Sequence, residues 1–190
     1  MIIFLAGLAV FLGVHSISVF NRPWRDAMVA NLGELPWKGL YSLASLAGFL
    51  LLVQGYDLTR AAPVALYQPP AFLRHIAFAF LLPVFPLVVA SQLPAGHIKA
   101  RLKHPMLVAT KAWALAHLLV NGALADVILY GGLLAWAVAV RISCKRREAP
   151  IPVAGPRAAL FDGISVVAGL VLYLAFVWWL HSALIGVAVN

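Results

Sequence analysis

Charged side chains are scarce in this sequence, and acidic ones are the scarcest. Asp, Glu, Lys and Arg make up only 11% of the 190 residues, whereas 64% are hydrophobic. A soluble domain of this size needs far more polar surface, so the composition argues against one. The 14 basic residues outnumber the 6 acidic ones, for a net charge of +8, and stand in short clusters between apolar runs. Because this pattern is typical of membrane loops, we expect a lipid bilayer as partner and no nucleic acid.

Cysteine and the common catalytic signatures are nearly missing as well. The single cysteine, Cys144, lies in the basic stretch RISCKRRE, which excludes a disulfide framework and a cysteine-based metal site. The sequence contains no H-E-x-x-H, no phosphate-binding glycine loop and no convincing intramembrane carboxylate pair. The familiar hydrolase and nucleotide-binding classes therefore find no support.

Long apolar runs dominate what is present, and each is long enough to cross, or nearly cross, a bilayer. Crossing the hydrocarbon core takes about 20 helical residues. The runs are Ile2–Phe20, Gly39–Tyr56, Leu73–Ala90, Met106–Val120, Gly122–Val140 and Leu160–His181. Pro83 and Pro86 should kink the third run. The sequence predicts an all-α polytopic membrane bundle of about six transmembrane helices, forming a single domain over residues 1–190.

Basic residues are unevenly divided between the two sets of linkers. One set holds Arg60 and Arg74. The other holds Arg22, Arg25, Lys38, Lys99, Arg101, Lys103, Arg141, Lys145, Arg146, Arg147 and Arg157. By the positive-inside rule the second set is cytoplasmic. We therefore expect both termini outside the cytoplasm, which is the periplasmic side if the membrane is the inner (cytoplasmic) membrane of a Gram-negative bacterium.

Two histidines lie inside apolar runs, where an ionisable residue is a functional hypothesis by default. His15 lies one to two turns from the cytoplasmic end of the first run, and His117 lies well inside the fourth. Neutral imidazoles that converge from facing helices are the usual way in which a membrane bundle holds a b-type haem. An alternative is that each histidine only hydrogen-bonds a neighbouring helix.

Other polar residues have simpler interpretations at this stage. His75 and His181 fall near the outer helix ends and form a second candidate pair, whereas His97 belongs to a cytoplasmic linker. His104 precedes Pro105, which suits a helix start. Lys111 can extend its long side chain to the cytoplasmic surface.

Several motifs, in order, resemble the NnrU family of bacterial integral membrane proteins. They are GVHS, WKGLYSLASLAGF, PPAFLRH, RLKHPML, AWALAHLLVNGALAD and LVLYLAFVWWLHSALIG, and they cover nearly the whole chain. The resemblance implies a role in denitrification and nitric oxide metabolism.

The sequence is also similar to 15-cis-zeta-carotene isomerase, a membrane enzyme whose haem b is held by two histidines. The matching positions are His15 in GVHS and His117 in ALAH, with His104 as the histidine of its His-Pro pair. The isomerase has cysteine where this chain has Ala114 and glutamine where it has Met106. The resemblance implies haem ligation by His15 and His117. Because of these two differences, it supports carotenoid isomerisation less well.

The combined hypothesis is a haem b protein of redox or nitric oxide-related membrane chemistry. His15 and His117 are the expected iron ligands, and Trp113, Arg22 and Lys38 are expected to contact the haem, the two cations at its propionates. The substrate would be lipid-soluble or a small redox molecule. The alternatives are a haem-dependent cis-trans isomerase of a carotenoid or other polyene, and a non-enzymatic scaffold or transporter component. The oligomeric state and the catalytic residues remain open.

Overall fold

The computed structural model describes residues 1–147 and 150–189, and helices make up 79% of the chain. In chain order they are α1 Ile2–Phe20, α2 Arg22–Leu32, α3 Glu34–Arg60, α4 Leu73–Leu81, α5 Val84–Gln92, α6 His97–Leu102, α7 Pro105–Val120, α8 Leu124–Arg146, α9 Ala158–Ala175 and α10 His181–Ile185. Within the described residues the only β pairing is a single bridge between Ala65 and Ala123. The predicted all-α class is confirmed.

Every predicted apolar run forms a helix or a helix pair. Five segments are long and apolar enough to cross a membrane, namely Ile2–Phe20, Glu34–Arg60, Leu73–Gln92, Leu124–Arg146 and Ala158–Ile185. The remaining apolar helix, α7, has 16 residues and is shorter than these. The chain is therefore a polytopic membrane protein, and α7, which covers the fourth predicted run, is its short apolar helix.

The described residues form two compact units. Unit 1 comprises residues 1–68 and 121–143, and unit 2 comprises residues 69–120, 144–147 and 150–189. The prediction of a single domain over residues 1–190 stays a prediction.

Within unit 1, α1 and α3 touch backbone to backbone through glycines. A Cβ on Gly7 of α1 would lie 2.3 Å from the backbone nitrogen of Leu52, and one on Gly55 of α3 would lie 2.3 Å from that of Phe4. Phe4 itself is fully buried. Membrane helices gain little from hydrophobic burial against one another, so close packing through small residues holds them together.

A short surface helix, α2, connects α1 to α3. The Asn21 side chain caps it by accepting a hydrogen bond from the Trp24 backbone N–H at 3.1 Å, and a proline follows in its first turn. Gly33, at φ +88°, joins α2 to α3 in a conformation that favours glycine. Trp24 packs edge-on against Trp37 at 5.8 Å between ring centroids. Paired tryptophans are typical of the interface between a bilayer and water.

The start of α8 is paired with the loop that follows α3. Leu66 N–H donates to Gly122 O and Leu124 N–H donates to Val64 O, each at 2.8 Å. A Cβ on Gly122 would lie 2.0 Å from Tyr67 O, so only glycine permits this approach. The backbone pairing fixes where α8 begins within unit 1.

In unit 2 the third apolar run is broken into α4 and α5. The break falls at Leu82 and Pro83, and Pro86 follows in the first turn of α5. Each proline lacks the N–H that would continue the helical hydrogen bonds, so the predicted kink is confirmed. Gly169 of α9 packs against this break, since a Cβ there would lie 2.3 Å from Pro86 N.

Helix α7 packs against α4 and α5 in unit 2. Ala109, 1% exposed, shares a buried cluster with Val84 and Leu87 of α5. Pro105 occupies the first position of α7, as the His-Pro motif predicts. Only Met106 of this helix is exposed. The histidine of α7 therefore lies on a well-packed element.

The turn before α7 is strained. Lys103 has φ +65° and ψ −45°, and His104 N–H donates to Leu102 O at 2.7 Å across it. This is a γ-turn of the rarer hand, which few residues other than glycine adopt. It ends α6 abruptly and allows α7 to start at Pro105.

The last span of unit 2 contains a π-helical turn. Residues Phe176–Leu180 form this turn between α9 and α10, and His181 follows it directly. The wide turn holds one residue more than an α-helical turn. The side chain of Arg74 donates to Val189 O at 3.0 Å and fixes the end of the described chain to α4.

Candidate functional site

His15 lies in an aromatic environment within unit 1. Its ring centroid is 4.3 Å from that of Phe11, 5.5 Å from that of Tyr41 and 6.1 Å from that of Trp136. Phe11 comes from α1, Tyr41 from α3 and Trp136 from α8. We call these four residues, together with Ser45 one turn after Tyr41, the His15 cluster. Three helices thus contribute to the surroundings of one half-buried imidazole.

A backbone hydrogen bond determines the tautomer of His15. Its Nδ1 lies 2.7 Å from Phe11 O, the carbonyl one turn earlier in α1. A carbonyl oxygen can only accept, so Nδ1 carries the proton and donates. In the neutral ring, Nε2 then holds the lone pair. This arrangement is typical of metal-ligating histidines, whose other nitrogen donates to a carbonyl or carboxylate.

Two buried polar atoms of the His15 cluster lack hydrogen-bond partners of normal geometry. Across the described ranges 1–147 and 150–189, the only such side-chain nitrogen or oxygen atoms are Trp136 Nε1 and Ser45 Oγ, the second of which lies near the Tyr41 hydroxyl. Leaving a buried donor or acceptor unsatisfied costs about 1–3 kcal/mol. An unsatisfied polar group in a native structure needs an explanation, and a bound ligand is one.

His117 repeats the same local geometry within unit 2. Its Nδ1 lies 2.9 Å from Trp113 O one turn earlier in α7, and its ring centroid is 4.8 Å from that of Trp113. Nδ1 therefore donates, and Nε2 holds the lone pair of the neutral ring. Trp113, predicted to border the site, is thus in direct contact with His117. His15 and His117 belong to different units, and each is held by its own helix.

The two predicted propionate partners have carboxylate partners on their own helices. Arg22 lies 3.6 Å from Asp26, and Lys38 lies 2.7 Å from Glu34. Arg25 also bonds Asp26, and this hydrogen bond holds the pKa of the Asp26 carboxyl below its usual value. All of these side chains are well exposed, so the pairs are weak and exchangeable.

The remaining histidines have other partners or high exposure. The side chain of His97, 69% exposed, lies 3.0 Å from Asp162, which also accepts from the backbone N–H groups of His97 and Ile98. Asp162, which lies near the start of α9, therefore caps α6. His181 Nδ1 lies 2.8 Å from Val187 O, and His75 is exposed.

A second polar cluster of unit 1 was not identified as a group from the sequence. Tyr56 of α3 donates to one oxygen of Asp126 of α8, and Ala123 N–H donates to the other at 3.1 Å. Tyr130, 8% exposed, hydrogen-bonds the same Tyr56 hydroxyl. Nearby, burial and the charge of Asp126 raise the pKa of Tyr67, whose hydroxyl donates to Asn121 O at 2.8 Å. We call Tyr56, Asp126 and Tyr130 the Asp126 cluster.

Asp126 stands at the third position of α8, where its carboxylate satisfies the N–H before the helix. This is half of a capping box, and the sequence could have revealed it. Tyr56 lies far away in sequence, so its contact with Asp126 could not be read from local spacing.

A bare metal ion has no ready set of ligands here. The described residues contain no group of three or more His, Cys, Asp and Glu side chains that could hold one. An iron porphyrin differs, because its ring supplies four nitrogens and the protein supplies only the axial ligands.

Comparison with known proteins gives one match. No curated protein and no solved structure matches the chain. A family profile, described as NnrU protein, matches residues 3–189. Because this match spans nearly the whole chain, the protein belongs to the NnrU family.

Proposed function

We propose that this NnrU-family membrane protein binds one haem b through His15 and His117 and serves redox or nitric oxide-related chemistry. The observation that carries the proposal is the shared geometry of the two histidines. Each donates from Nδ1 to the carbonyl one turn earlier in its own helix. Each therefore offers Nε2 as the ligand nitrogen in a fixed ring orientation.

The donor set suits a haem better than other metal groups. Two neutral imidazoles are the axial ligands of many low-spin b-type haems, whereas a lone cysteine, Cys144, excludes a four-cysteine cluster. The rings of Phe11, Tyr41 and Trp136 beside His15 provide the flat apolar contacts that a porphyrin prefers. The partnerless Trp136 Nε1 is a further sign that a ligand belongs beside His15.

The chain's own residues would set the behaviour of such a haem. The group itself supplies one-electron chemistry at its iron. The Phe11 and Trp113 carbonyls raise the basicity of the two imidazoles by accepting their Nδ1 protons. Arg22 and Lys38 can exchange their exposed carboxylate partners for propionates, because surface ion pairs contribute only about 0–1 kcal/mol.

Carotenoid isomerisation receives less support from this chain. Ala114, at the position of the isomerase cysteine, is 0% exposed and has no atom that can bind iron. An exchange of axial ligand from that position is therefore not available here. The non-enzymatic alternative, in which both histidines only hold helices together, predicts no haem at all.

A spectrum of the purified protein tests the proposal. We expect a reduced-minus-oxidised spectrum of six-coordinate low-spin haem b in the wild type. His15→Gly and His117→Gly should each lose the low-spin signal, and added imidazole should restore it. The imidazole rescue separates loss of a ligand from loss of the fold.

Two histidine variants serve as controls. His97→Ala and His181→Ala should keep the wild-type spectrum, because their side chains bond Asp162 and Val187 O instead. A haem-free wild type would refute the proposal. An unchanged spectrum in both His15→Gly and His117→Gly would redirect the assignment to His75 and His181.

We also propose the inner membrane as location, with both termini periplasmic. The basic linkers carry this proposal through the positive-inside rule. A membrane-impermeant thiol reagent should label Cys144 only in inverted vesicles, and a periplasmic reporter fused after Asn190 should be active. Labelling of Cys144 in intact spheroplasts would show that the protein has the opposite orientation in the membrane.

A further inference from the structure

The buried indole N–H of Trp136 has no assigned role. Trp136 lies on α8, and its ring meets the His15 imidazole edge-on at 86°. Its Nε1 is inaccessible and has no partner among the described residues. Indole N–H is a donor only, so the atom can be satisfied by an acceptor and by nothing else.

Neither lipid nor bulk water can supply that acceptor. The surrounding protein covers Nε1 in this structure, so an acceptor from outside the protein reaches it only when the covering side chains move, and the hydrocarbon core contains no acceptors. A phenylalanine ring would fill much of the same space without an unsatisfied donor. An atom of a ligand bound beside His15 would be such an acceptor, once its binding has displaced the side chains that cover Nε1.

A haem held by two histidines narrows the choice of acceptor. Its iron has no coordination position left for another ligand, and its ring nitrogens are occupied by the metal. The remaining strong acceptors of haem b are its two propionate carboxylates. Trp136 also lies five residues before Arg141, about 8 Å along α8, toward the end of the helix that carries basic residues.

We infer that Trp136 donates its Nε1 proton to a propionate of the haem and positions the group against His15. This inference rests on the proposed haem function and adds to it a positioning residue on α8. A hydrogen bond to a charged acceptor is stronger than one to a neutral group. It would hold the haem and leave the iron coordination unchanged.

The experiment removes the N–H and keeps the ring. Site-specific replacement of Trp136 by benzothienylalanine exchanges the N–H for sulfur in a ring of nearly the same shape, and Trp136→Phe is the simpler second variant. Both should remain six-coordinate and low-spin. Haem transfer to excess apomyoglobin should become about tenfold faster, the factor that corresponds to ~1.4 kcal/mol. The propionate bending band in the resonance Raman spectrum should shift.

Trp178→Phe is the matched control, since Trp178 is 72% exposed and lies in unit 2. It should change neither the transfer rate nor the band. A benzothienylalanine variant with wild-type rate and band would overturn the role of Trp136 and leave haem binding by His15 intact. A haem-free wild type would overturn both proposals.

Discussion

The two polar clusters of unit 1 differ in how well their atoms are satisfied. In the Asp126 cluster, both carboxylate oxygens accept hydrogen bonds, from Tyr56 and from the Ala123 N–H. In the His15 cluster, Trp136 Nε1 and Ser45 Oγ are buried without hydrogen-bond partners of normal geometry within the described residues. Both clusters join α3 to α8. The difference agrees with a structural role for the first cluster and with the ligand site that we propose at the second.

The largest effect should come from placing a side-chain atom between α1 and α3, where their backbones touch beside the Asp126 cluster. Gly55→Ala places a Cβ 2.3 Å from Phe4 N, so the helices must separate. We expect a loss of about 3 kcal/mol in the free energy of unfolding. Gly131→Ala on α8 is the control, because nothing lies within 4 Å of its Cβ position. Unfolding in detergent measures both, and equal stability of the two variants would contradict the close packing.

A smaller loss should follow from one hydroxyl of the Asp126 cluster. Tyr56→Phe keeps the ring contact with Phe4, 6.0 Å between centroids, but removes the donor to Asp126. We expect a loss of about 2 kcal/mol in the free energy of unfolding, because a charged acceptor is left without this partner. The haem spectrum should not change. Loss of the haem spectrum in this variant would show that haem binding depends on the Asp126 cluster as well. The two clusters would then not differ in role.

The corresponding change in the His15 cluster should have little effect or stabilise the protein. Ser45→Ala removes a buried hydroxyl from the same helix, α3, where that oxygen lies near the Tyr41 hydroxyl but makes no hydrogen bond of normal geometry within residues 1–147 and 150–189. Alanine also favours the helix, so stability should be unchanged or rise by up to about 1 kcal/mol. Parallel unfolding curves of Ser45→Ala and Tyr56→Phe provide the sharpest test. Equal destabilisation by the two would remove the distinction between the clusters.

The smallest effect is expected for Lys111 of α7, a charge in unit 2 that is half-buried. If its side chain only reaches the surface, Lys111→Met should change the unfolding free energy by no more than about 0.5 kcal/mol. Haem content should equal that of the wild type. A loss of haem would make Lys111 part of the site, unlike either cluster of unit 1.

Hydrophobic length predicted the helices well, because the bilayer imposes that length. The first run, Ile2–Phe20, agrees with α1 at both ends. The second run was predicted from Gly39, whereas α3 starts at Glu34, since a polar first turn extends beyond the apolar stretch. The helix α2 was not predicted, although Asn21 and the proline after Arg22 are a recognisable start signal.

The candidate site was predictable only where helical spacing decides it. The positions of His15 and His117 followed from their depth, and the carbonyl one turn earlier is a partner that any helix offers. The meeting of Tyr41 and Trp136 around His15 depends on how α3 and α8 pack. No local pattern specifies such a contact, so the unsatisfied Trp136 Nε1 could be found only in three dimensions.

The π-helical turn at Phe176–Leu180 gives the last span one residue more than an unbroken α-helix would need. Deleting one residue within this turn would restore ordinary α-helical hydrogen bonds and leave the residues that follow facing nearly the same way. His181 would keep its direction relative to α9, and Val189 would stay beside the side chain of Arg74. A one-residue deletion inside α9 would instead rotate everything after it by about 100°, so the span tolerates a single-codon deletion at the turn and not before it.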